Sequence, residues 1–213
     1  MFYKDPQSFY RSSALDGFGW LEHGFGTCHS PDFTGDERLA TVRQIHSDIC
    51  AAARGRTGLI GEGDAVLENV PGHLAGVKTA DCLPILLVDE EHRAVAAVHA
   101  GWRGTVSGIV RAAIGKMLEE FGTRPAHIHA AIGPGIGKCC YEVGPEVAVQ
   151  FGATGRAKID LAEENRRLMI EAGVPGAQIQ TAGLCTRCSV EDFHSYRRDK
   201  ERAGRMLSVV GVR

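Results

Sequence analysis

The chain has 213 residues, 44% of them hydrophobic, enough to build one sizeable core as a single domain over residues 1–213. Its formal charge of −2 and pI near 6.5 argue against a protein devoted to nucleic acid, which would carry a basic face. No apolar run approaches the roughly 18 residues of a membrane span, and the start, MFYKDPQSFY, lacks the apolar core of a signal peptide. A cytoplasmic protein with no membrane contact is expected. Seven cysteines, an odd number, then read as thiols, metal ligands or nucleophiles rather than as a disulfide framework.

In chain order, the first segment that carries chemistry is VRQIHSD, residues 42–48. His46 stands near its end, with Arg43 and Gln44 beside it as grips for an anion. Spacing alone does not rank it above His23, His29, His73, His92, His127, His129 or His194. Two apolar runs follow, Leu83–Val88 and Ala94–Val98, around the polar turn Asp89-Glu90-Glu91-His92. If that turn closes an antiparallel pair, facing residues have numbers summing to 181, and Cys82 stands opposite His99. Facing Cβ atoms are roughly 5 Å apart. A thiolate and an imidazole at that spacing can share one ion, with Zn–S about 2.3 Å and Zn–N about 2.0 Å. A buried thiol beside a core histidine is the plainer reading, and a slip of one residue would separate the pair. His92, in the turn, is expected to be solvated.

Val106, Ile109, Val110, Ala113, Ile114, Met117, Leu118 and Phe121 recur at helical spacing, with Gly122 as the stop. His127–Ile132 reads as a short strand carrying the one HxH pair, His127 and His129. The glycine-rich IGPGIGKCCYEVG, residues 132–144, fits neither GxGxxG nor a GK[ST] loop. It is expected to bring backbone close to a site. Asp160 with Glu163 caps a helix ending near Gly173, and Gln178–Ala182 and Leu207–Val210 read as strands. Cys185-Thr-Arg-Cys188 is a CxxC that lacks the second half a structural zinc would need, since His194 matches no finger spacing. Tyr196-Arg197-Arg198 reads as a charged face, with phosphate binding as the alternative. The mixture predicts an α+β fold, a mixed β-sheet sandwich with flanking helices.

RQIHSD, GDAVLENV, KTADCLPILLVD, VHAGWRGT, AAIGPGIGKCCYEVG, CTRCS and SYRRDKERAGRM occur in that order. In these motifs, from about Gly24 to the C-terminus, the chain resembles the YfiH/YlmD family. That family is also called the polyphenol oxidase or laccase-domain family, and more recently purine nucleoside phosphorylase. The resemblance implies a fold shared with toxin deamidases and a zinc site of His46, Cys82 and His99. It thereby selects His46, which spacing does not. It also implies phosphorolysis of adenosine, inosine, guanosine and methylthioadenosine, with deamination of adenosine as a second activity. The implied partners are small-molecule purine nucleosides and phosphate, handled by a monomer or weak homodimer.

Within that frame Arg103 is the expected phosphate partner, because a guanidinium matches phosphate oxygens in a bidentate way. Asp81 is expected to orient a ligand, and Arg43 to help grip the substrate. His194, where the family usually has an aromatic residue, is expected to alter the pocket wall. Two other enzyme readings stand beside this one. One is a cysteine-type hydrolase editing peptidoglycan precursors, with Cys82 as nucleophile and His99 as base. The other is a copper-loaded polyphenol oxidase, which would need more HxH pairs than the one present. A non-catalytic zinc- or nucleoside-binding protein is a third class, and three ligands with an open position favour an enzyme over it.

Overall fold

The computed structural model describes residues 1–33 and 35–213. Its first strands are β1 (Phe2–Lys4), β2 (Tyr10–Ser12), β3 (Leu21–Gly24), β4 (Leu39–Arg43), β5 (Cys50–Ala52) and β6 (Gly58–Glu62). Then come β7 (Ala65–Glu68), β8 (His73–Thr79), β9 (Leu83–Asp89), β10 (Ala94–Ala100), α1 (Trp102–Ser107), α2 (Ile109–Phe121) and β11 (Ile128–Ile132). The rest is β12 (Glu142–Val143), α3 (Pro145–Ala148), β13 (Ala157–Lys158), α4 (Leu161–Glu171), β14 (Ile179–Thr181), α5 (Tyr196–Asp199) and β15 (Met206–Val212). No helix among the described residues is long and apolar enough to cross a membrane.

Strands β9 and β10 are buried along their whole length and mostly apolar, because both of their faces are covered. They sit at the middle of a six-stranded sheet ordered β14-β11-β9-β10-β7-β5. Leu83, Ile85 and Leu87, with Ala96 and Val98, pack on one side against Ile109, Ala113 and Met117 of α2 and Leu168 of α4. The alternate residues Leu86, Val88, Val95 and Ala97 turn the other way. They meet Ala40, Val42, Ala75, Val77 and Val210 of a five-stranded sheet, β3-β15-β8-β4-β6. Both sheets mix parallel and antiparallel pairs. The result is the α+β sandwich the sequence predicts, with the helices on the outer face of the larger sheet.

Two details differ from the sequence reading. Asp89 pairs with Ala94 and His99 with Pro84, so facing residues sum to 183 rather than 181. The cause is Asp89 itself, which stays in the strand with its carboxylate buried. That carboxylate accepts hydrogen bonds from the backbone N–H of Glu91 at 2.8 Å and of His92 at 3.2 Å. His92 Nδ1 adds a third at 2.8 Å; His92 is exposed, as expected, and also tied to Asp89. The turn moves to residues 90–93, where Arg93 takes a φ of 49°. A two-residue slip preserves the side-chain face, so Cys82 lies diagonal to His99 and not opposite it. Secondly, the helix predicted through 106–121 is two helices, because Gly108 at φ 82° both ends α1 and opens α2.

Candidate metal centre

Cys82 immediately precedes β9 and shares a sheet face with Pro84, Leu86 and Val88, the face that meets the smaller sheet. His99, near the end of β10, shares that face. His46 arrives from the other layer, on the segment that leaves β4 of the smaller sheet and enters β5 of the larger. The Gln44 amide anchors this segment by copying a strand's hydrogen bonds. It donates to the Lys78 carbonyl and accepts from the Lys78 N–H, both at 2.8 Å. One nitrogen or sulfur from each of His46, Cys82 and His99 lies within 4.8 Å of the others, at the end of the sandwich where the two sheets meet.

Asp64, fully buried just ahead of β7, holds the segment in place. Its carboxylate accepts from the backbone N–H of His46 at 3.0 Å and of Ser47 at 2.6 Å, from the Ser47 hydroxyl at 2.8 Å and from His99 Nδ1 at 2.8 Å. The Asp64 carbonyl also accepts from the His99 N–H at 2.7 Å. Bonding Nδ1 to the carboxylate fixes the tautomer and leaves Nε2 for a ligand. His46 and Asp81 hold φ values of 61° and 84°. These left-handed values are uncommon for non-glycine residues, and here they coincide with the site.

The electrostatics follow from this packing. Burial opposes ionisation of Cys82, but hydrogen bonds from His46 and His99 outweigh it and bring the thiol down to about 6. Burial likewise opposes protonation of His99, and the bonds to Asp64 and then Cys82 outweigh it, raising the imidazole to about 9. Asp64 is held well below the usual carboxylate range, its burial overcome by the bonds from His99 and Ser47.

The donor set suits one metal ion, since a thiolate and two imidazoles leave a fourth tetrahedral position open. Gly101 supplies the room. A Cβ there would lie 2.9 Å from Cys82 Sγ and 3.3 Å from His46 Cδ2. The three residues open onto a cavity of about 650 Å³ lined also by Trp102, Tyr141 and Tyr196, and by the cations Lys78, Arg197, Lys200 and Arg205.

The other candidates named from the sequence fall differently. Arg103 is exposed, its guanidinium 4.4 Å from the centroid of the Trp102 ring, and the cations lining the cavity are other residues. Arg43 is paired with Glu62 across β4 and β6 and is largely exposed. Asp81 lines the cavity, but its carboxylate accepts from the Thr186 hydroxyl and from the Arg197 N–H, both at 2.6 Å. The carboxylate bonded to His99 is that of Asp64. Of the HxH pair, His127 precedes β11 and meets Glu91, whereas His129 meets Glu90. His194 lies against Gly204, beside a separate cavity that it shares with Lys78 and Arg205. Sequence reasoning missed Asp64, and it read Arg197 as part of a charged face with phosphate binding as the alternative. The signal for Asp64 was an acid set directly against the apolar strand AVLE, and for Arg197 its place beside an aromatic residue in SYRRD.

The family model described as multi-copper polyphenol oxidoreductase laccase matches residues 28–213. The chain belongs to this family. Its relatives in the laccase family include a purine nucleoside phosphorylase of Deinococcus radiodurans, 46% identical over 193 residues, which cover 84% of this chain and 72% of the relative. Adenosine deaminase RL5, from an unknown prokaryotic organism, is 41% identical over 159 residues, covering 68% of this chain and 60% of that protein. The crystal structure of YlmD from Geobacillus stearothermophilus superposes with a TM-score of 0.90 at 25% identity, covering 100% of this chain and 98% of that one. The chain is an enzyme of this laccase family.

Proposed function

We propose that the chain is a zinc-dependent purine nucleoside phosphorylase that also deaminates adenosine, with His46, Cys82 and His99 as the metal ligands. The observation that carries the reading is the three-donor cluster opening onto a cavity lined by both cations and aromatic rings. A thiolate with two imidazoles matches zinc, whereas multicopper chemistry needs several histidine-rich sites. Among the described residues, one ligand cluster contains histidine. Zinc held there supplies Lewis acidity to an oxygen or ring substituent of the substrate.

The chain's own groups divide the remaining work. Trp102, Tyr141 and Tyr196 offer ring faces to a purine. Lys78, Arg197, Lys200 and Arg205 balance the charge of phosphate. Arg197 is the best placed of the four. Its N–H is held by Asp81, and its guanidinium lies over the Tyr141 ring while donating to the Glu142 carbonyl. Phosphorolysis forms a bond between a phosphate oxygen and ribose C1′ and breaks the bond from C1′ to the base. Arg197 therefore positions the nucleophile while the aromatic side chains hold the leaving purine.

The substrates proposed are adenosine, inosine, guanosine and methylthioadenosine, turned over by one domain as a monomer or weak homodimer in the cytoplasm. The test is to assay each nucleoside with phosphate, scoring free base and ribose 1-phosphate (5-methylthioribose 1-phosphate from methylthioadenosine), and to score ammonia from adenosine. Chelator treatment followed by zinc return should abolish and restore both. Base release from none of the four by zinc-replete protein would overturn the reading.

A second reading rests on one specific observation. Without metal, a thiol lowered to about 6 beside an imidazole raised to about 9 is the couple a cysteine hydrolase uses. It predicts activity in zinc-free protein, which the phosphorylase reading forbids.

A further inference from the structure

The CxxC at Cys185 and Cys188 has a second half. Its partners are Cys139 and Cys140, from the glycine-rich stretch some 45 residues earlier, and the four sulfurs all lie within 4.8 Å of one another. Cys188 Sγ is 3.8 Å from Cys139 Sγ and 3.4 Å from Cys140 Sγ. No pair is bonded as a disulfide. Four sulfurs around a zinc ion at Zn–S of about 2.3 Å stand about 3.8 Å apart along each tetrahedral edge. The 3.8 Å separation equals that edge, the 3.4 Å one is somewhat shorter, and both are far beyond the roughly 2.05 Å of a disulfide.

We propose that Cys139, Cys140, Cys185 and Cys188 form a second, closed metal site that takes zinc. The backbone is built for it. Cys140 N–H donates to the Gly137 carbonyl at 2.9 Å, and Cys188 N–H donates to the Cys185 carbonyl at 3.1 Å, so each cysteine pair sits on a tight turn. Gly137 N–H donates to Cys185 Sγ at 3.3 Å, a bond that favours the thiolate. A Cβ at Gly137 would come within 3.3 Å of both Cys139 Sγ and Cys185 Cβ, so glycine lets the two turns close on each other. The Arg187 guanidinium, which favours the charged form of Cys140, offsets the charge that four thiolates leave around a divalent ion.

The ion would fasten two loops that meet along the backbone at Gly135 and Cys185, where Thr186 N–H donates to the Gly135 carbonyl at 3.0 Å. Both loops reach the first site. Tyr141, next to Cys140, lines its cavity. Thr186, next to Cys185, bonds the carboxylate of Asp81 beside Cys82. The tetrathiolate is thus a clamp on one wall of the catalytic cavity, and its four ligands leave no position for substrate.

Metal analysis of the full chain, reconstituted with zinc and freed of excess, tests this separately from the phosphorylase reading, because the readout is stoichiometry and not turnover. Two zinc ions per chain are expected, with one lost in Cys139→Ser/Cys188→Ser. The Cys82→Ala variant should keep one ion. Loaded with cobalt, it should show the sulfur-to-cobalt charge-transfer bands and intense d–d absorption of a tetrahedral thiolate site. This second arm stands even if the double serine variant fails to fold. One zinc in the unaltered chain and none in Cys82→Ala would overturn the proposal. Two ions retained by the double serine variant would do the same, as would an intact mass lacking two hydrogens, the mark of a disulfide.

Discussion

The two cysteine-bearing clusters of this molecule are held in place by different means. Cys82 and His99 belong to the ends of two fully buried strands, and a buried carboxylate draws His46 in from the opposite sheet. The four cysteines of the other cluster stand on two turns that lean against each other, two of them exposed and two half-buried. One cluster mixes sulfur with nitrogen, offers three donors and faces a cavity. The other is all sulfur and offers four. Donor count and support together are the ground for proposing chemistry at one site and loop fastening at the other. A catalytic ion needs ligands fixed by the core around a free position, whereas a fastening ion itself supplies the rigidity its loops lack.

The largest expected effects come from removing what the core supplies to the first cluster. Asp64→Asn keeps the shape but loses the charge that holds His99 and the N–H groups of His46 and Ser47. Zinc affinity at this site should fall by about 10–100-fold, read by chelator competition, while the tetrathiolate keeps its ion. Gly101→Ala should give a loss of similar size at the same site by pushing a Cβ between Cys82 and His46. Equal loss from both clusters in either variant would mean that they are not independently supported.

The pH dependence draws the contrast further. In metal-free protein His99 keeps its proton up to about 9, whereas Cys82 is ionised above about 6. Binding an ion between pH 7 and 9 must therefore expel one proton, the one on His99. Zinc affinity at this site should rise about tenfold per pH unit across that window and level off above 9. Linkage to folding follows the same two groups. The raised His99 adds stability that is lost as pH rises through 9, and the lowered Cys82 adds stability that is lost as pH falls through 6. Their slopes oppose each other, so this pair should leave the metal-free Tm flat between about 6.5 and 9. A Tm that falls steadily across that range would show that the thiolate–imidazolium pair does not form.

Smaller effects are expected at the cavity rim. Arg197→Ala should raise KM for phosphate by roughly 10-fold or more, the range for losing a charge-assisted hydrogen bond. Arg103→Ala should change it by less than about threefold, because its guanidinium is spent on the Trp102 ring in solvent. The reverse order would return the phosphate role to Arg103.

One cluster is far more legible in the sequence than the other, for physical reasons. Cys82 and His99 can be brought together from a hairpin, since pairing is local and side chains alternate with a period of two. Even a turn misplaced by Asp89 leaves them on the same face. His46 and Asp64 join them across two sheets, and no short-range periodicity encodes that meeting; family motifs supply His46, while the mark of Asp64 is an acid set directly ahead of the strand AVLE. The tetrathiolate halves are separated by β12, α3, β13, α4 and β14. The CxxC therefore reads as half a site although its partner pair stands in the sequence as adjacent cysteines. Gly108 escapes notice because hydrophobic spacing continues smoothly through it, while its left-handed φ breaks the helix.

Whether Cys82 serves as a ligand or as a nucleophile decides between the two readings of the first cluster, and thiol reactivity separates them. A thiolate bound to metal reacts slowly with alkylating agents, whereas a free thiolate beside His99 would be the most reactive of the seven cysteines. The measurement is peptide mapping of alkylated cysteines in zinc-loaded and chelator-treated protein, with adenosine phosphorolysis followed in parallel. Cys82 should be protected and the enzyme active with zinc, labelled and inactive without it, and both states should revert when zinc is returned before alkylation. Rapid labelling of Cys82 in the zinc-loaded enzyme, or full activity in zinc-free protein, would instead make Cys82 the nucleophile.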